Sequence, residues 1–214
     1  MIAPDGLKII LITSVIFILL VIANIFYPNL YLKIITIITG ILFVFNFFFF
    51  RDPERAVPAG SNIIVSPADG TIIKIAEVNE PYYFKEKVVC VSIFLSVLNI
   101  HVNRIPISGK VDFFKYIEGK FFPAFDDKAS ENNEQTVIGI KNSKVRVLFK
   151  QIAGIIARRV VCNISEGDSV NIGNRFGIIL YGSRVDMFFP ANVKLNVKNK
   201  DKVIGGVTII GEYK

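Results

Sequence analysis

Two long apolar runs open the chain, and short alternating ones fill the rest. From Ile9 to Tyr27 the stretch IILITSVIFILLVIANIFY holds no charge, and a second uncharged run, IITIITGILFVFNFFFF, extends from Ile34 to Phe50. Each approaches the length of about 20 residues with which a helix crosses a hydrocarbon core. The break at Tyr27, Pro28 and Asn29 suits a turn at the far interface, with Tyr27 and Tyr31 as aromatic anchors and Lys33 snorkelling. A secretory signal would account for one run only, and no A-x-A-like cleavage site follows the first. Lys8 before the pair and Arg51 and Arg55 after it put both ends in the cytoplasm by the positive-inside rule. Buried core helices, or a hairpin lying in the interface, would give the same pattern. The expectation taken forward is a membrane-associated hydrophobic helical hairpin over residues 1–50.

Beyond residue 50 the period changes. The runs NIIVSPADGTIIKIAEV, VVCVSIFL, SKVRVLFKQI, RRVVCNI, FGIILYG and VKLNVKN are short, rich in Val and Ile, and separated by Gly, Pro, Asn and Asp, which predicts strands joined by turns. The main helix candidate is KFFPAFDDKASENNEQ, where Phe121, Phe122 and Phe125 precede a polar tail. A pattern D-x-V-x-x-G occurs twice, at Asp168, Val170 and Gly173 and again at Asp201, Val203 and Gly206. Similar turn-strand units occur in lipoyl and biotinyl carrier domains, but no lysine is displayed at a hairpin tip, so shared hairpin chemistry explains the echo better than shared function. Residues 51–214 are thus expected to form one mainly β (α+β) domain, a β-sandwich or barrel with lipoyl-like hairpin elements.

Charge narrows the partners. The net charge is +7, and the first fifty residues contribute only +1 through Lys8, Lys33 and Asp5, so +6 lies on residues 51–214. Such a surface suits an anionic lipid leaflet; no basic helix or recognised motif supports nucleic acid as a partner. Cys90 and Cys162 lack metal-ligand spacing and read as buried thiols in a reducing compartment. No metal-ligand cluster is visible.

The candidate chemistry lies in RFGIILYGSRVDMFFP, residues 175–190, where Gly182 and Ser183 interrupt a strand-like stretch. A bulge or tight turn would explain a Gly-Ser pair. Four stretches together say more: FFRDPER at 49–55, SPADG at 66–70, FLSVLNIHVNRIPISGKV at 94–111, and QIAGIIARRVVCNISEGDSVNIGNRFGIILYGSRVDMFFP at 151–190, with ENNEQ at 131–135 between the last two. In this order they resemble the phosphatidylserine decarboxylase family, in its short form, over the whole domain.

The resemblance implies a proenzyme that cuts itself between Gly182 and Ser183 into a large chain, 1–182, and a small chain, 183–214, which stay together as a heterodimer. It implies that Ser183 becomes a pyruvoyl group, the covalent cofactor, whose ketone takes the substrate amine as a Schiff base while carbon dioxide leaves and phosphatidylethanolamine forms. The residue types fit this chemistry. Gly182 leaves its carbonyl open to the Ser183 hydroxyl, and that hydroxyl needs a base. His101 in NIHVNR is the chain's one histidine, the side chain best matched to that task. Asp69 in SPADG would orient it as in a Ser-His-Asp triad.

Two positions depart from longer family members, which carry a second histidine where Arg104 stands and Thr where Arg184 stands. For a phospholipid's phosphate and carboxylate, Arg104, Arg158, Arg159 and Arg184 are the candidate partners, since guanidinium forks bind such groups bidentately. The Phe-rich stretch at 121–125 suits a dip into the lipid interface. The expected location is the cell membrane, with the catalytic domain on its cytoplasmic side and higher oligomers open. A decarboxylase of another serine-headed lipid, or a non-catalytic membrane-tethered β-sandwich adapter, are the alternatives.

Overall fold

The computed structural model describes residues 1–120, 122–124, 126, 128–155 and 159–214, and these divide into two compact units, Met1–Glu54 and Arg55–Lys214. In the first, helix α1 (Pro4–Phe26) and helix α2 (Leu30–Phe49) form an antiparallel hairpin. Pro4 supplies the preset first turn of α1, and the Asn29 side chain caps α2 by accepting the Leu32 N–H at 2.9 Å. Most of both helices is exposed apolar surface, Leu11, Ile18, Leu19, Ile37 and Ile41 among it, and both are long and apolar enough to cross a membrane. Four polar side chains meet across the pair: Asn24 Nδ2 donates to Thr36 Oγ1 at 2.5 Å and Asn46 Nδ2 to Thr13 Oγ1 at 3.4 Å, the kind of bond that joins helices in lipid. Gly40 lets the Phe17 ring approach to where a Cβ would lie 2.9 Å from it. The Ala3 N–H donates to Phe50 O and the Asp52 N–H to Met1 O, both at 2.8 Å, so the hairpin's two ends are tied on one side.

The second unit is built on strands: β1 (Ile63–Val65), β2 (Gly70–Glu80), β3 (Glu86–Leu95), β4 (Val102–Arg104), β5 (Gly109–Ile117), β6 (Gln135–Lys141), β7 (Arg146–Ala153), β8 (Val160–Cys162), β9 (Ser169–Val170), β10 (Arg175–Ile179), β11 (Ser183–Phe189), β12 (Lys194–Leu195), β13 (Lys202–Val203) and β14 (Ile209–Glu212). Eight form a curled sheet in the order β13-β2-β3-β11-β7-β6-β5-β9; two three-stranded sheets, β1-β14-β12 and β4-β10-β8, accompany it. The mainly β expectation therefore holds. The predicted helix reduces to one turn, α3 (Ala129–Asn132); Phe121 and Phe125 lie outside the described residues. β11 is central, paired along its length with β3 and with β7. Its alternate residues divide between two faces. Val185, Met187 and Phe189 enter the main core with Ile93, Phe149 and Phe176, whereas Phe188 joins a second cluster with Cys90 and Leu148.

The sequence echo has a structural counterpart. Its two copies form β9 and β13, the opposite edges of the eight-stranded sheet. Asp168 Oδ2 accepts the Ser165 N–H at 2.8 Å and Asp201 Oδ2 the Lys198 N–H at 2.9 Å, while Gly173 and Gly206 turn the chain at φ 81° and 74°. The segments leading into β2 and β5 match as well: the Val65 N–H donates to Pro106 O at 3.0 Å and the Arg104 N–H to Pro67 O at 2.8 Å. Asp69 Oδ1 accepts the Gly205 N–H at 2.8 Å where Ser108 Oγ accepts the Ile172 N–H at 2.9 Å. One set of turn chemistry is thus used twice about a local two-fold, and its bonds are those of folding.

Candidate active site

The Gly-Ser pair sits where the chain crosses between sheets. β10 belongs to one sheet and β11 to another, and three residues, Leu180 to Gly182, make the passage. They do it with two successive positive φ values, 48° at Tyr181 and 84° at Gly182. The left-handed region costs a residue bearing Cβ about 1–2 kcal/mol, a cost that glycine escapes at 182. Immediately after this turn Ser183 is locked into the ladder, opposite Leu95 of β3 and Ala153 of β7. Its hydroxyl is fully buried and has no hydrogen-bond partner among the described residues. An unpaired buried hydroxyl costs about 1–3 kcal/mol, and an orphan of this kind is a mark of a functional group.

His101 reaches the same turn from the segment between β3 and β4. That segment is pinned by Asn99, whose Oδ1 accepts from both the Ser96 N–H and the Ser96 hydroxyl at 2.9 Å. The imidazole is buried, with Nδ1 3.0 Å from Asn99 O and Nε2 3.1 Å from the Gly182 nitrogen. A carbonyl only accepts and an amide N–H only donates, so the network assigns the proton to Nδ1 and the accepting lone pair to Nε2. The basic nitrogen therefore faces the Tyr181–Gly182 peptide, one unit before the Gly182–Ser183 bond.

Asp69 precedes β2, whose Thr71 pairs with Phe94, the neighbour of Leu95 and so of Ser183. Its carboxylate takes a bidentate pair of bonds from Arg55, Nη1 to Oδ1 at 2.6 Å and Nη2 to Oδ2 at 2.8 Å, besides the Gly205 N–H. The sheet thus brings SPADG, the end of β3 and Gly182-Ser183 together, and the His101 segment closes on them, while the bonds of Asp69 run to Arg55 and Gly205.

The candidate arginines part company. Arg104 is buried in β4, its Nη1 donating to Gly173 O at 3.1 Å. Arg184 is also buried; Nε donates to Asp186 Oδ1 at 2.6 Å and Nη2 to Ser92 Oγ at 2.8 Å. Strand alternation puts Arg184 on the face opposite Ser183, where with Asp186, Lys150, Lys74 and Tyr82 it lines a cavity of about 360 Å³. Arg159 is exposed, and its carbonyl accepts the Leu180 N–H at 3.2 Å, next to the turn. Arg158 lies outside the described residues. Cys90 is buried and Cys162 partly so; burial pushes the Cys90 thiol up to about 12 and raises that of Cys162.

Sequence reasoning missed two participants. Arg55 counted only as a charge flanking the hairpin, and Gly154 passed as an ordinary glycine. Gly154 follows Ala153, the partner of Ser183, and a Cβ added there would lie 2.1 Å from Gly182 O and 3.0 Å from its carbonyl carbon. Its position within QIAG, at the end of a strand-like run, was the available signal. ENNEQ also finds a place: Asn133 is buried, and its amide donates to Phe122 O at 2.8 Å and to Ala153 O at 2.7 Å, bracing the strand end beside Gly154.

The profile of the family described as phosphatidylserine decarboxylase matches residues 42–211. A phosphatidylserine decarboxylase proenzyme from Ehrlichia chaffeensis is 50% identical over 181 residues, 84% of this chain and 79% of the relative. One from Chlorobium phaeobacteroides is 44% identical over 201 residues, 94% of each chain, and one from Carboxydothermus hydrogenoformans is 47% identical over 175 residues, 81% of this chain and 82% of its own.

Proposed function

The chain belongs to the phosphatidylserine decarboxylase family and is a carboxy-lyase, and from that premise we propose that it matures by cutting its own Gly182-Ser183 bond and then decarboxylates phosphatidylserine to phosphatidylethanolamine at the cytoplasmic face of the cell membrane. One observation carries the proposal: the buried Ser183 hydroxyl, without a hydrogen-bond partner among the described residues, follows a glycine at φ 84° whose N–H is bound by the lone pair of the sole histidine.

The cut proceeds from these groups. Ser183 Oγ attacks the Gly182 carbonyl carbon; the C–O bond forms as the C–N bond breaks, and His101 Nε2, exchanging its bond from the Gly182 N–H for one from the hydroxyl, carries the hydroxyl proton to the departing Ser183 nitrogen. Asn99 O, on Nδ1, holds the ring in the basic tautomer, and the Asp69 carboxylate favours the imidazolium that forms in passing. Loss of the Ser183 α-proton then expels residue 182 as a carboxylate, and water and the loss of ammonia convert the remaining dehydroalanine to pyruvoyl. The residues present fit that group, since its precursor needs a free hydroxyl beside an open carbonyl. A pyruvoyl group supplies an electron sink for the pair released when carbon dioxide leaves. Arg159, exposed beside the turn, is the cation proposed for the lipid phosphate, with Arg158 next to it in sequence as the secondary candidate; Arg104, buried on Gly173 O, and Arg184, buried on Asp186 and Ser92 on the other face, are not proposed as substrate contacts.

Intact mass tests the proposal. Wild type should resolve into residues 1–182 and a chain from position 183 that is one ammonia lighter than its serine form. Ser183→Ala should remain one chain, and His101→Ala should process at least about 100-fold more slowly. A wild-type protein that stays whole, or an alanine variant that splits at 182, would refute the assignment.

A further inference from the structure

Every tight glycine in this fold is tight against something, and at Gly154 the neighbour is the bond proposed to break. An added Cβ would lie 2.1 Å from Gly182 O and 3.0 Å from the carbonyl carbon, distances at which backbone must move. Neither side yields easily. Ala153, next to Gly154, pairs with Ser183 in the β7–β11 ladder and is braced by Asn133, and the Gly182 N–H is held by His101. Resting on the proposed self-cleavage, we infer that Gly154 is a positioning residue for maturation: its bare Cα is the seat on which the Gly182 carbonyl lies, and that seat sets the angle at which the carbonyl meets the Ser183 hydroxyl.

The chemistry explains why the seat must lack a side chain. As Oγ bonds to the Gly182 carbon, the carbonyl oxygen gains charge and its carbon becomes tetrahedral, so that oxygen must move and stay solvated by the site. A methyl group at 154 would occupy that space and turn the peptide plane away before attack. A misplacement of 1 Å costs a positioned reaction about 100-fold. Gly154→Ala is therefore expected to slow the appearance of the 183–214 chain by about 100-fold, with no accumulation of the ester.

Gly177 supplies the control. A Cβ there would meet Val161 O at 2.1 Å, an equally tight backbone contact in the β8–β10 pair that does not involve the Gly182 carbonyl. Gly154→Ala, Gly177→Ala and wild type are compared as full-length protein in detergent, with cleavage followed on gels with and without hydroxylamine, which splits an accumulated ester. Fold integrity is read from the melting temperature of each glycine variant combined with Ser183→Ala, where nothing is cut. The inference stands if Gly177→Ala matures within a few-fold of wild type while Gly154→Ala stays whole, resists hydroxylamine and melts cooperatively in the Ser183→Ala background. It falls if Gly154→Ala matures at the wild-type rate, if hydroxylamine releases its small chain, or if it melts no more cooperatively than an unfolded chain. Failure of wild type itself to cut at 182 would instead reject the self-cleavage reading, so the two failures are distinguishable.

Discussion

Ser108 shows what the carboxylate at position 69 is not needed for. Related by the local two-fold, the Ser108 hydroxyl and Asp69 Oδ1 each accept one backbone N–H, from Ile172 and Gly205. A serine is therefore enough to close that turn, and the charge of Asp69 is left to hold Arg55 and, in the proposed mechanism, to support His101. Removing only one ion of a buried pair leaves its partner stranded at a cost of about 3–5 kcal/mol, so the informative variant removes both. Arg55→Leu with Asp69→Ser should fold, and should mature about 100-fold more slowly if the carboxylate supports the base. Wild-type maturation, measured by the rate of small-chain release, would take Asp69 out of the mechanism. The sequence made the residue identities legible through short motifs; it hid this division of labour, because Asp before Gly reads equally well as a turn.

The central strand of the sheet illustrates what patterning can reveal about an element. Apolar runs announced β3, β7 and β10, whereas β5 and β6 went unmarked: β6 is buried on both faces for most of its length and shows little alternation. The helix over KFFPAFDDKASENNEQ shrank to a single turn because tertiary contacts, Asn133 with Phe122 above all, fix that segment better than its weak periodicity does. The place of Gly154 at the end of a strand-like run was legible, but its approach to Gly182 was not, since pairing between β7 and β11 creates it. Register also aligns Lys74, Ser92, Asp186 and Lys150 across β2, β3, β11 and β7 on the face away from Ser183. Asp186 is engaged by Arg184 and the Ser130 hydroxyl, and Lys150, 7% exposed, makes no hydrogen bond or ion pair among the described residues. Burial lowers its pKa, against the pull of Asp186 and Glu80. A lysine whose folded pKa is depressed burdens the fold fully below that pKa and is relieved as pH rises towards the ordinary value, because the unfolded chain binds more protons in that window. Lys150→Met should therefore stabilise the protein by about 1 kcal/mol at neutral pH, an advantage that shrinks in alkaline buffer; a gain that grows with pH in thermal melts would contradict this.

At the scale of the whole molecule, an apolar helical hairpin joined by two inward polar pairs suits association with a membrane. The full-length protein should stay with membranes through high salt and alkaline carbonate and leave only with detergent, whereas a chain starting at residue 51 should wash off with salt, since electrostatic attraction alone would hold it. Release of full-length protein by carbonate would argue for a surface-bound hairpin. The placement of residues 183–214 has a separate consequence. β11 lies between β3 and β7, β13 edges β2, and β14 joins β1 to β12, so the small chain is woven through two of the three sheets. Before the proposed cut, one continuous backbone delivers these strands to their places at a fixed local concentration. Afterwards the same native contacts hold two molecules together, and unfolding sets both free. Renaturation then becomes a second-order encounter with an entropic cost that the nascent chain did not bear. A cut at Gly182–Ser183 would thereby turn a reversible folding equilibrium into a kinetic one, and the lifetime of the two-chain protein would be set by how rarely β11 escapes its two neighbours.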